Sequence, residues 1–176
     1  EVATLFREEN LGCRNAMSSA ISWFFSEVEE GIILEDDCLP NPTFFRYCRE
    51  LLERYRDDER VMNISGVNSL LRGAELGDSY YFSRSRNLGL GLLAAGMAEL
   101  FAGYAGPDFV QSGALADCFP DPVERKRWRE ILDKVYRGEP GFNTWDAQWS
   151  YAHFKNNALA VTPRNNLVEN IGCTPD

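Results

Sequence analysis

A short apolar run that ends in three acidic residues constrains the fold of this chain more than any other feature. Residues Gly31–Leu34 carry no charge, and Glu35, Asp36 and Asp37 follow directly. Strands of a parallel sheet that are covered on both faces are continuously apolar, so the run predicts a buried, central strand. The acids then lie beyond its carboxyl end, at the edge where open α/β sheets bind their ligands.

Three adjacent carboxylates repel one another, and the cluster is unfavourable unless a cation joins it. A hard divalent ion, Mg²⁺ or Mn²⁺, takes carboxylate ligands and keeps open positions for phosphate oxygens. The alternative is a solvated acidic turn before the next helix. Because the acids follow a strand of the buried type, we favour the metal site.

Segments with helical and strand periodicity alternate along the chain, which predicts an α/β fold. We expect helices at 15–28, 41–56, 92–104, 121–136 and 144–155, and further strands at 60–64, 79–82 and 158–161. The pairs Asn41–Pro42 and Asp121–Pro122 are typical of helix N-termini. The strand–helix–strand order over residues 31–64 predicts a right-handed parallel crossover.

The bulk properties exclude several classes of protein. A length of 176 residues suits a single domain, and a net charge of -9 argues against a nucleic-acid partner. No apolar run approaches the roughly 18 residues of a membrane span. The five cysteines form no zinc or disulfide pattern, which favours a cytoplasmic location. The only histidine, His153, excludes a site with several histidines, and we expect it to be packed and hydrogen-bonded rather than a ligand.

Four motifs together resemble those of the GT-A nucleotide-sugar glycosyltransferases. They are a turn containing Asn10 and Gly12 before a helix, the Glu35–Asp37 acids, the run Leu88–Leu93, and the pair Trp145–Asp146. The acids are similar to those of bacterial family 2 enzymes and of the N-acetylglucosaminyltransferase I family, and the Gly-rich run and the Trp-Asp pair are similar to motifs of the second family. The resemblance spans roughly the whole chain.

The resemblance implies a Rossmann-like, mixed but mainly parallel sheet flanked by helices, in one GT-A domain over residues 1–176. Compared with that fold, we expect the chain to lack the first strand–helix unit and the metal-binding histidine that follows in similar sequences, and so to be truncated at both ends. The implied activity is inverting transfer of a hexosyl or N-acetylhexosaminyl group from a nucleotide diphosphate sugar, most simply a UDP-sugar. The acceptor is a hydroxyl of a glycan, a lipid-linked molecule or a protein.

The resemblance also assigns roles to individual acids. Asp37 corresponds to the Mn²⁺ or Mg²⁺ ligand, Asp36 to the ribose contact, and Glu35 to a base-side or outer contact. Asp146 corresponds to the general base, and the neighbouring Trp145 ring would help to desolvate it. The alternative for Asp146 is a carboxylate that only complements the dipole of its helix.

Other residues are implied to contact the nucleotide sugar. Asn10, Gly12 and Arg14 lie at a turn into a helix N-terminus, where backbone N–H groups suit an anionic or polar ligand. The alternative is a plain Asx turn. Gly89 and Gly91 either let the backbone approach the donor sugar or only mark a turn.

Two other functions remain open. A nucleotidyltransferase shares the sheet, the metal and the diphosphate. A catalytically inactive GT-A-like module would bind partners without transferring a sugar. Release of UDP from UDP-sugars, with and without Mn²⁺, separates these three functions.

Overall fold

The computed structural model describes residues 2–68, 79–84, 91–93, 113 and 115–172. Within these ranges the protein has a mixed α/β architecture. The helices are α1 (Gly12–Glu27), α2 (Pro42–Tyr55), α3 (Leu115–Cys118), α4 (Pro122–Arg137) and α5 (Asp146–Lys155). The strands are β1 (Gly31–Ile32), β2 (Cys38–Pro40), β3 (Val61–Ser65), β4 (Tyr80–Ser83), β5 (Gly91–Leu93), β6 (Leu159–Pro163) and β7 (Val168–Asn170).

Of the strands in the described ranges, five form the main sheet in the order β1-β5-β3-β6-β4, and β2 pairs with β7 in a second sheet. Only β3 and β6 pair in parallel within the described ranges, so the prediction of a mainly parallel sheet is wrong there. The predicted mixed α/β class is confirmed. Because β1 and β3 are both antiparallel to β5, they run in the same direction, as the predicted crossover requires.

The prediction that the first apolar run is a buried, central strand is wrong, since Gly31, Ile32 and Ile33 are only half-buried. Among the described strands β1 lies at the end of the order, and β5 separates it from β3. Nonetheless both faces of this strand region are covered. Ile32 packs on the cluster under α2, and Ile33 packs on the cluster under α1 and α5. This two-sided packing explains the unbroken apolar run, although Leu34 is exposed.

Helices cover both faces of the main sheet. On one face, Phe44 and Leu51 of α2 pack on Ile64 of β3 and Val161 of β6. On the other face, buried residues of α1, β3, α5 and the position just before α5 form a second cluster: Ile21, Met62, Trp145, Trp149 and Ala152. A third cluster joins α3, α4 and α5 and contains Leu115, Leu132, Tyr151 and Phe154. α5 therefore packs on both the sheet and its neighbouring helices.

Both predicted proline-containing helix starts are confirmed. The Asn41 side chain accepts a hydrogen bond from Thr43 N, and Asp121 accepts one from Val123 N. Each cap satisfies a backbone donor that the first turn leaves unpaired. The predicted helix at 92–104 is wrong for its first two residues, which belong to β5, and the rest of it lies outside the described residues.

Candidate functional site

The three acids occupy the turn between β1 and β2. The Cys38 amide donates to the Glu35 carbonyl at 3.2 Å, which closes the turn immediately after the acids. Within the described ranges, no Lys or Arg side chain forms an ion pair with these acids. With respect to the described residues the negative charge of the turn has no ion-pair partner, and such charge attracts cations.

Asp37 is held through both its backbone and its side chain. Its carbonyl accepts from Ile171 N at 2.8 Å, and its carboxylate Oδ2 accepts from Asn170 Nδ2 at 3.1 Å. The other oxygen, Oδ1, accepts from the Cys38 thiol at 3.1 Å. Gly172 lies so close that a Cβ there would come within 2.5 Å of Oδ2. The end of β7 thus encloses the residue predicted to bind the metal.

Glu35 connects the acidic turn to α5. The indole Nε1 of Trp145 donates to Glu35 Oε1 at 2.8 Å, and the Trp145 side chain is buried. Trp145 is the residue immediately before α5, so Asp146 is the first residue of that helix. Two segments that lie 110 positions apart in sequence therefore meet at this hydrogen bond.

Asp146 is half-buried at the N-terminus of α5. Its Oδ1 atom is enclosed by protein and has no hydrogen-bond partner among the described residues. A carboxylate at this position is stabilised by the helix dipole. An enclosed acceptor without a donor is uncommon, and such groups occur at catalytic positions. The location is therefore compatible with both roles considered for this residue.

The turn before α1 is an Asx turn, in which Asn10 Oδ1 accepts from Gly12 N at 2.8 Å. Gly12 has a φ of +71°, and a Cβ there would lie 2.6 Å from Asn143 Nδ2. Both the backbone conformation and this close approach favour glycine. The turn consequently lies against the loop that leads into Trp145.

The other residues predicted to contact the nucleotide sugar lie in separate parts of the structure or outside the described residues. Asp36 is exposed on the acidic turn. Arg14 Nη1 approaches the Val135 carbonyl at 3.5 Å, so its guanidinium lies near the C-terminal end of α4. Gly91 opens β5 and pairs with Ser65 of β3, whereas Gly89 lies outside the described residues.

The donor atoms at the acidic turn suit a hard cation. One ligand atom each from Glu35, Asp37 and Cys38 lies within 4.8 Å of the others, and all three residues are half-buried. Burial, and then the hydrogen bond to Asp37, raise the pKa of the Cys38 thiol to about 12. At neutral pH the thiol therefore keeps its proton and donates to Asp37. The remaining donors are carboxylate oxygens, the ligand type that Mg²⁺ and Mn²⁺ prefer.

His153 is packed as predicted, but the prediction that it is hydrogen-bonded is wrong. It is 1% exposed, its ring centroid lies 5.1 Å from that of Trp149, and neither ring nitrogen has a hydrogen-bond partner in the part of the chain that the structure describes. Burial lowers the pKa of His153 to about 3. The side chain is therefore a neutral member of the α5 core.

Sequence reasoning missed the contribution of the C-terminal strand. β7 brings Asn170 and Gly172 against Asp37, and no motif in the sequence marks either residue as part of a site. Cys38 could have been identified from the sequence, because it follows the three acids directly. Only the pairing of β2 with β7, in which Cys38 lies opposite Asn170, makes these contacts apparent.

Comparison with known proteins reveals no relative of this chain. No protein-family model, no curated protein and no solved structure matches it.

Within the described ranges, none of the helices combines the length and the apolar character needed to cross a membrane.

Proposed function

We propose that this chain is a GT-A-like domain of a metal-dependent, inverting glycosyltransferase that uses a UDP-linked sugar and a hydroxyl acceptor. One observation carries the proposal, namely the hydrogen bond between Trp145 and Glu35. It joins the acidic motif to the Trp-Asp motif, the two segments in which the sequence most resembles such enzymes. Because the two residues lie 110 positions apart, their contact is produced by the tertiary fold and not by local chain geometry.

The direction of the strands also supports the proposal. β1, β3 and β6 run the same way, and the acids follow the carboxyl end of β1. Open α/β sheets bind ligands at this edge. Helices on both faces of the sheet complete an arrangement that suits a nucleotide-binding domain.

The acidic turn would hold the donor. A bound divalent ion would neutralise the diphosphate leaving group as a Lewis acid. Asp37 would supply a ligand oxygen from a carboxylate that Asn170 and Cys38 already orient. Asp36 is exposed and accessible to the ribose, and Trp145 orients Glu35 beside it.

Asp146 would remove the proton from the acceptor hydroxyl. Asp146 as a whole is half-buried and follows Trp145, whose indole reaches the acidic turn, so a carboxylate oxygen on the open side of the residue would accept this proton. The acceptor oxygen would then bond to the anomeric carbon as the bond from that carbon to the diphosphate breaks. A single displacement of this kind inverts the anomeric configuration.

The turn at Asn10–Gly12 would border the nucleotide. It precedes α1, whose first N–H groups lack partners within the helix. Its contact with Asn143 places it beside the loop before Trp145. We therefore retain Asn10 and Gly12 as candidate nucleotide contacts, and regard Arg14 as a contact to α4.

Calorimetric titration with UDP, in the presence and absence of Mn²⁺, tests the proposal. We expect Asp37→Ala to abolish Mn²⁺-dependent UDP binding, since it removes the ligand oxygens. Asp57→Ala is the matched control, because Asp57 is exposed in the loop after α2 and the variant loses the same charge. Equal affinity in the parent and the Asp37 variant would refute the metal assignment.

A second assay separates the proposed activity from the alternatives. Incubation with UDP-sugars and Mn²⁺ should release UDP if the chain is a transferase. Release of pyrophosphate from UTP and a sugar phosphate would instead identify a nucleotidyltransferase. Binding of UDP without either product would identify an inactive binding module.

A further inference from the structure

We propose that Asn170 positions the carboxylate of Asp37 for metal binding. The inference rests on the proposed function, because it assumes that Asp37 binds the divalent ion. It adds a residue from the C-terminal strand to a site that the sequence assigned to the acidic motif alone. In this role Asn170 does not touch the metal and acts through Asp37.

The backbone brings the two residues together. In the β2–β7 sheet Cys38 is paired with Asn170, the last residue of β7. The Asp37 carbonyl then accepts from Ile171 N at 2.8 Å, which extends the contact by one residue beyond the strands. The distance between Asn170 and Asp37 is therefore set by strand pairing rather than by flexible side chains.

Two hydrogen bonds determine which end of the Asn170 amide faces Asp37. The Oδ1 atom accepts from Gly172 N at 3.0 Å, and Nδ2 donates to Asp37 Oδ2 at 3.1 Å. Rotating the amide by half a turn would place Nδ2 against the Gly172 N–H, where two donors would meet, and Oδ1 against Asp37 Oδ2, where two acceptors would meet. Because only one orientation satisfies both neighbours, the amide is held as a donor to the carboxylate.

Asp37 Oδ2 is consequently enclosed on two sides. Asn170 donates to it, and Gly172 approaches so closely that a Cβ would lie 2.5 Å away. A carboxylate fixed in this way loses little side-chain freedom when it binds an ion. Residues that orient metal ligands from outside the coordination sphere typically change metal affinity by about 10–100-fold when they are replaced.

The test compares Asn170→Ala with the parent. Mn²⁺ is titrated alone and with UDP, and binding is followed by water-proton relaxation, which detects weak complexes. We expect Asn170→Ala to weaken Mn²⁺ binding by roughly 10-fold. Asn165→Ala is the matched control, because Asn165 is exposed in the loop between β6 and β7. That variant should bind Mn²⁺ as the parent does.

A stability measurement separates positioning from a merely structural role. Asn170 is exposed, so we expect the metal-free unfolding midpoint of Asn170→Ala to remain close to that of the parent. The rise of that midpoint on adding Mn²⁺ should be smaller in the variant. A large metal-free loss of stability would indicate a structural role and overturn the positioning role.

The outcomes for the inference and for the proposed function are distinct. If Asp37→Ala removes Mn²⁺ binding and Asn170→Ala leaves it unchanged, the inference is wrong and the proposed function stands. If the parent itself shows no Mn²⁺ binding that depends on Asp37, the proposed function fails and the inference fails with it. A loss in both variants, with Asn165→Ala unaffected, supports both.

Discussion

Acidification should destabilise this protein through His153 before most carboxylates titrate. The ring is 1% exposed and neither nitrogen has a hydrogen-bond partner within the described ranges, so a proton there would be a buried, unpaired charge. Burial accordingly lowers the pKa of His153 from 6.5 to about 3 in the folded state. The unfolded chain exposes the ring and keeps the ordinary pKa.

The sign of the effect follows from proton uptake. Below pH 6.5 the unfolded chain binds a proton that the folded protein does not, so the free energy of unfolding decreases as the pH falls towards 3. The slope over this range is about 1.4 kcal/mol per pH unit. At pH 5 the loss attributable to His153 is about 2 kcal/mol, and above pH 7 it is negligible.

Urea denaturation of the parent and of His153→Phe at several pH values measures this loss. Phenylalanine keeps a ring in the core but cannot bind a proton, and carboxylate titration affects both proteins alike. We expect the two free energies of unfolding to diverge by about 2 kcal/mol between pH 7.5 and pH 5. Parallel pH profiles would refute the reasoning.

Proton NMR provides an independent check. Because the chain has a single histidine, its ring C–H resonances need no assignment by mutation. They should not shift between pH 7.5 and pH 5 in the folded protein. A titration with a midpoint near the ordinary histidine pKa would show that the ring contacts water.

Three further predictions concern the candidate site. Trp145→Phe keeps an aromatic ring but removes the donor to Glu35, and should lower the free energy of unfolding by about 1–3 kcal/mol in urea denaturation. An unchanged value would mean that the hydrogen bond is not maintained in solution. Gly172→Ala places a methyl group against Asp37 Oδ2 and should weaken Mn²⁺ binding in the relaxation assay. Affinity equal to that of the parent would mean that the turn moves aside and that Gly172 does not constrain Asp37. Asp146→Asn should keep UDP affinity but slow UDP release from a UDP-sugar by roughly 10²–10⁴-fold, and full activity in this variant would exclude Asp146 as the base.

Local patterns in the sequence determined much of the secondary structure. Asn41 and Asp121, each followed by proline, predicted the starts of α2 and α4 because capping depends on neighbouring residues. The apolar run at Gly31–Leu34 predicted packing on both faces, which Ile32 and Ile33 provide. The acidic turn was likewise visible as a cluster of charge after a strand.

Only the tertiary structure decided which strands are neighbours and what surrounds the acids. β5 lies between β1 and β3, so the apolar strand β1 is at the end of the order of the described strands. No local sequence pattern encodes the order of strands. The same holds for the contacts of Asp37 with Asn170 and of Glu35 with Trp145. These contacts join residues more than a hundred positions apart, and they depend on strand pairing and on the packing of α5, whereas sequence periodicity reports only on nearby residues.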